Sequence, residues 1–270
     1  MKKSCLHEVF IFLPLFLTFA GCSNPYSKFY TDFTGGKNVL DDPTFIIPTD
    51  NPKLIAGANI ESDHKRMLED NYWQLGQSSF NGASVSQDLA IQHAQKIHAE
   101  TVIVYNRYSH TLSGSMPMTV PDTQTSTSYH SGNIYGSAGG FANYSGSSYT
   151  TTSGSRTTYV PYNIEKYDYF ASFWIKCKPA RLGILFDDLT DELRSKVGSN
   201  KGVYIFAVVK DSPAFNSDLV SGDVIRRVNG MEVIDKNHLG NWLNETHPSV
   251  IEFEIFRNGE NISKKVHLRL

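Results

Sequence analysis

Side chains able to do covalent or metal chemistry are numerous in this chain of 270 residues, but they are scattered. A hydrolytic nucleophile needs a serine or cysteine held beside a base on rigid elements. Neither Gly-Asn-Ser-Gly nor a Gly-x-Ser-x-Gly elbow occurs, and Gly146-Ser147-Ser148 sits in a stretch with little aliphatic support. His93 and His98 are five apart on one expected helix and therefore fall on different faces. His64, His110, His130, His238, His247 and His267 show no ligand spacing, so each histidine is read as solvent-facing and no metal is expected. Gly198 to Gly202 follows an expected helix and precedes a strand, the reverse of a phosphate-binding loop. The expectation is a protein that is not an enzyme and carries no cofactor.

Charge narrows the partners. With 25 Lys and Arg against 27 Asp and Glu, the net charge is -2. No basic stripe is present to neutralise phosphates, so nucleic acid is not expected as a partner.

The first residues have the pattern of an export signal. Lys2 and Lys3 precede a mostly apolar run from Val9 to Ala20, too short to span a bilayer, which ends in small residues before a cysteine. Phe19-Ala20-Gly21-Cys22 resembles the bacterial lipobox, although Leu is usual where Phe19 stands. That resemblance implies a signal peptide over 1–21, acylation of Cys22 (palmitate among its acyl chains) and a membrane anchor through the N-terminal lipid. Ser23 rather than Asp after the cysteine implies the periplasmic face of the outer membrane. The alternative is an ordinary secretory signal in which Cys22 is incidental. Cys5 would leave with the signal and Cys22 would carry lipid. Cys177 then stands alone, unable to form an internal disulfide, in a run expected to be a buried strand.

The elements point to an α+β chain. Residues 22–51 lack periodicity and are expected to be a flexible tether, with Phe45-Ile46-Ile47 a possible short strand. Residues 52–178 are expected to be a small α/β domain. Its expected strands are Lys53–Ile60, Tyr72–Phe80, Thr101–Tyr105 and Tyr167–Lys178. Its expected helices are Asp63–Asp70 and one from Ser84 to about Ile97, laid across one face of the sheet. Within it, 110–158 is a Ser/Thr/Tyr/Gly-rich insertion with almost no charge and few aliphatics, which cannot bury enough surface to form its own core. Two readings stay open for it. One is a flexible hairpin excursion; the other is a contact surface using Tyr129, Tyr135, Phe141, Tyr144 and Tyr149.

From Leu182 the pattern runs strand, helix, strand, turn, strand, helix and a final hairpin, with Asn229-Gly230 and Asn258-Gly259 as tight turns. Gly202-Val203-Tyr204-Ile205, Val209-Lys210-Asp211-Ser212-Pro213-Ala214, Leu219-Val220-Ser221-Gly222-Asp223-Val224-Ile225, Val228-Asn229-Gly230-Met231-Glu232-Val233 and Phe256-Arg257-Asn258-Gly259 follow in order. This run, 179–270, resembles the PDZ domains of bacterial HtrA-type periplasmic proteases. The resemblance implies a partly open β-barrel with two helices. It also implies capture of peptide or protein C-termini by strand addition, with the terminal carboxylate held on backbone N–H groups. The matching positions are Leu182, Gly183 and Ile184 for the carboxylate loop, Ile184, Leu185 and Phe186 for the receiving edge, and Gly240 and Leu243 for the groove wall. Leu239 and Trp242 then belong to the core; in the alternative register of that helix they face the groove instead. Gly222, Asp223, Asn229 and Gly230 are read as structural. HtrA proteins place a protease before this domain, but 52–178 is too short for a double-barrel protease.

The expected function is a lipid-anchored envelope adaptor that binds C-termini. The alternatives are an interaction or adhesion protein acting through the Tyr-rich insertion and, third, an enzyme with an unrecognised site in 52–178.

Overall fold

The structure, a computed structural model, describes residues 23–269. The export signal and Cys22 therefore lie outside the described residues. The chain is mostly β with a few helices, and it divides into two compact units. The first comprises residues up to Phe80, Ser86–Tyr105 and Phe170–Leu270; the second comprises Asn81–Val85 and Asn106–Tyr169.

The N-terminal part of the first unit is built on a five-stranded sheet. Its elements are α1 (Pro25–Lys28), β1 (Tyr30–Asp32), β2 (Lys53–Ala56), α2 (Ile60–Glu69), β3 (Tyr72–Gly82), α3 (Asp88–Lys96), β4 (Thr101–Tyr135) and β5 (Phe141–Lys176). The strand order is β1-β3-β5-β4-β2, with β2 parallel to β4, as a crossover through α2 and α3 permits. Strand β5 carries its aromatics on both faces because successive side chains alternate. Phe173 meets the His93 ring of α3 at 5.0 Å, whereas Trp174 packs on Met67 of α2 and meets the His64 ring at 5.0 Å. The two helices thus cover opposite faces, rather than one helix covering one face. That explains why 171–175 is fully buried.

Several local expectations are corrected by hydrogen bonds that periodicity does not reveal. Helix α2 starts three residues early because Asn59 caps it, accepting from the Ser62 N–H at 2.9 Å. Asn81 and Gly82 end strand β3 rather than forming a tight turn, and Asn81 Nδ2 donates to Asp168 at 2.7 Å. Helix α3 ends at Lys96, so His98 lies beyond it with φ 59°.

The segment expected to be a tether is ordered from Asn24 onward. Tyr26 is fully buried with its ring edge-on to Phe80, its carbonyl accepts from Ser78 Oγ at 2.6 Å, and β1 pairs antiparallel with β3. A few scattered contacts add to this, Asn24 Nδ2 to the Leu89 carbonyl at 2.6 Å and the Phe33 N–H to the Leu75 carbonyl at 2.8 Å among them, too little pattern to be visible in composition. Further on, Phe45 bridges to Cys177 and the Ile46 N–H donates to the Lys176 carbonyl at 2.9 Å.

In the second unit, β4 and β5 form a long two-stranded hairpin. Thr125 and Thr151 hydroxyls face each other at 3.4 Å, and His130 reaches Ser148 at 3.1 Å. The Tyr144 ring lies over Gly132 and the Tyr162 ring over Gly114, filling the space a side chain would take. Tyr129, Tyr135, Phe141, Tyr144 and Tyr149 are all exposed.

The C-terminal part of the first unit is a second sheet with its own core. It contains β6 (Ile184–Asp188), α4 (Asp191–Val197), β7 (Val203–Val208), α5 (Pro213–Asn216), β8 (Val224–Val228), β9 (Met231–Glu232), α6 (Lys236–Thr246), β10 (Val250–Arg257) and β11 (Glu260–His267). The order β11-β10-β8-β7-β6 is an open path, with β9 paired to β8, so the sheet does not close into a barrel. Ile205, Ile225, Leu239, Ile251, Phe253 and Ile255 are fully buried in its core. Asn229-Gly230 and Asn258-Gly259 take positive φ, as tight hairpin turns require.

Candidate functional site: a free strand edge beside helix α6

Strand β6 ends the sheet and pairs only with β7 among the described residues. The Val209 N–H donates to the Gly183 carbonyl at 2.9 Å, and Ile184 stands opposite Val208. In an antiparallel ladder that makes Ile184 a non-hydrogen-bonded position, so its N–H and C=O point away from β7 to the open edge.

The loop before β6 is fixed through its carbonyls. The Arg181 carbonyl accepts from the Arg269 N–H at 3.0 Å and the Leu182 carbonyl from the Ala214 N–H at 3.0 Å. The N–H groups of Leu182 and Gly183 have no partner among the described residues. Together with Ile184 they offer three successive donors in a short loop, the arrangement that holds an anion. Gly183 is required here. Its φ is 85°, and a Cβ would run into the side chain of Ser212.

Helix α6 lies beside the edge. Asp235 caps it, accepting from the His238 N–H at 2.8 Å, and its start is tied to the end of β6. The Lys236 N–H donates to Asp188 at 2.8 Å and Lys236 Nζ to Asp187 at 2.7 Å, which keeps the Asp187 carboxyl below its usual range. Leu239 is fully buried and Trp242 packs on the core. A Cβ on Gly240 would meet open space, so the helix wall is shallow at that point. Ile184, Phe186 and Leu243 are half-buried against the core, and Leu182 is buried at its rim. The side chain of Leu185 turns the other way. It lines a cavity of about 430 Å³ together with Phe206, part of Phe186, and His64 and Trp174 of the N-terminal part.

Asp223 is fully buried, and Arg257 makes two hydrogen bonds to it. Arg257 was not singled out by its sequence. Its place after Phe256 in a strand hid the fact that it serves the Gly222-Asp223 turn.

Other chemistry-bearing residues do not converge. Among the described residues, no group of three or more His, Cys, Asp and Glu could hold a metal ion, and no helix is long and apolar enough to cross a membrane. His93 is buried rather than solvent-facing, because it fills the space between Tyr30 and Phe173. Burial pushes the Cys177 thiol up to about 11.

These features define a PDZ-type module: an open sheet edge, a glycine-containing donor loop at its start and a helix alongside. Residues 180–268 match the family described as PDZ domain. Among solved structures, the chain is similar to the HtrA3 PDZ domain bound to a phage-derived ligand. The identity is 23%, with 33% of this chain and 83% of that chain covered and a TM-score of 0.30. It is also similar to the HtrA-type protease AlgW with a decapeptide, at 23% identity and TM-score 0.30, spanning 37% of each chain. A comparison with curated proteins finds no match.

Proposed function

We propose that this protein is a lipid-anchored adaptor of the cell envelope that captures free C-termini of peptides or proteins. The observation that carries the reading is the β6 edge. Ile184 presents its N–H and C=O outward, directly after two unpaired N–H groups at Leu182 and Gly183. An extended peptide adds there as a strand, its main chain supplying affinity and its carboxylate resting on the loop donors. Side chains on the α6 side meet Ile184, Phe186 and Leu243. The envelope anchor rests on Phe19-Ala20-Gly21-Cys22 and on the apolar run before it.

A library of free-carboxylate peptides, screened on the whole mature chain by fluorescence polarisation, tests the binding. Each selected peptide is repeated as its C-terminal amide, with a loss of at least tenfold expected. Equal binding of acid and amide would show that the loop does not read the carboxylate. For the anchor, labelled palmitate should appear on the wild type and not on Cys22→Ser; equal labelling of both would refute it.

A further inference from the structure

The N-terminal part, outside the PDZ domain, walls a cavity on the reverse face of strand β6. From that placement we infer that it completes the peptide site by receiving a large apolar side chain. The inference rests on the reading that peptides add to β6.

The two parts are fastened within one compact unit. Lys210 Nζ pairs with Asp70 at 2.6 Å, the Lys210 N–H donates to the Glu69 carbonyl at 2.8 Å, and Lys65 reaches Ser221 at 3.2 Å. These contacts set helix α2 against the sheet and leave the cavity of about 430 Å³ between them. Leu185, Phe186 and Phe206 form its PDZ side; Leu68, Trp73 and Trp174 are among the residues of the other. The lining is mostly aromatic and aliphatic, with Gln74 and His64 as its polar members, and Trp73 is 46% exposed. The Nε2 atom of His64, also in the lining, is buried without a partner among the described residues.

The geometry selects the occupant. Side chains of an added strand alternate between the two faces of the sheet. One set enters the groove beside α6. The other set lies on the face to which Leu185 and Phe206 point. The peptide residue beside Leu185, one before the C-terminus when the terminal residue pairs at Ile184, is therefore aimed at the cavity. Its apolar lining, rather than a charged one, favours a bulky hydrocarbon or aromatic side chain there.

The test uses the mature chain and two free-carboxylate peptides that differ only in the penultimate residue, Phe or Ala. The Phe peptide is expected to bind about tenfold more tightly. Trp73→Ala, which opens the wall, and Leu68→Trp, which fills the space, should each reduce that ratio to below about twofold, with thermal melts confirming that both variants fold. Free-carboxylate binding with no Phe preference would overturn the cavity assignment and leave the groove standing. A preference that persists in both variants would place the subsite elsewhere and overturn it equally. If no free-carboxylate peptide binds at all, strand addition itself fails, and this inference with it.

Discussion

Arg257 grips Asp223 side-on, with Nε at 2.6 Å from one carboxylate oxygen and Nη2 at 2.8 Å from the other. The carboxylate is fully buried, and it also accepts from the Val220 N–H at 3.0 Å. The pair ties the loop before β8 to the end of β10. Asp223→Ala removes the buried carboxylate and leaves the guanidinium only its contacts to Asp218, a loss of about 1–3 kcal/mol. Urea unfolding of the mature chain measures it; a loss below about 1 kcal/mol would mean that the loop is held by other contacts.

Two glycines near the groove answer opposite tests. Gly183 has φ 85° and no room for a Cβ, so Gly183→Ala should cost about 1–3 kcal/mol and disorder the donor loop. Gly240 sits in a helix with open space where its Cβ would be. Gly240→Ala should therefore stabilise by about 0.5–1 kcal/mol, and Gly240→Trp should weaken peptide binding without lowering the melting temperature. If Gly240→Trp binds peptide as well as wild type does, α6 is not the groove wall.

The C-terminal third was legible because its signals are local. Asn229-Gly230 and Asn258-Gly259 announce hairpins, and Thr190, whose hydroxyl accepts from the Leu193 N–H, announces α4. Contacts made across long stretches of chain were not legible. Tyr26 anchors on Ser78, and Asp223 needs Arg257, 34 residues away; neither partner carries a mark of its role. The cavity behind β6 was hidden for the same reason, since it is assembled from residues far apart in the chain, His64 and Phe206 among them. The length of β4 and β5 was missed because Ser, Thr and Gly weaken every strand signal, although Gly-over-Tyr pairs sustain the hairpin.

Cys177 is partly buried, and desolvation raises its thiol to about 11. The reactive thiolate is then a small fraction at neutral pH. In a Cys5→Ser, Cys22→Ser background, native protein at pH 7.5 should react with a disulfide reagent at least tenfold more slowly than the same protein in urea. Equal rates would mean that the thiol is open to solvent.

His93 makes the fold sensitive to acid. Its ring is 4% exposed, lies 4.6 Å from Tyr30 and 5.0 Å from Phe173, and neither nitrogen has a partner among the described residues. Burial, with a smaller contribution from the Lys96 charge, lowers it from 6.5 to about 4. The unfolded chain therefore takes up a proton below about pH 6.5 that the folded chain refuses until about pH 4. Stability is fully present above 6.5 and drains away as pH falls across that window, on the order of 2 kcal/mol between pH 7 and pH 5. His93→Leu keeps the apolar packing and removes the titration. The difference in unfolding free energy between wild type and variant should shift in the variant's favour by that amount over the same range. Parallel pH profiles would show that acid reaches the fold through other groups.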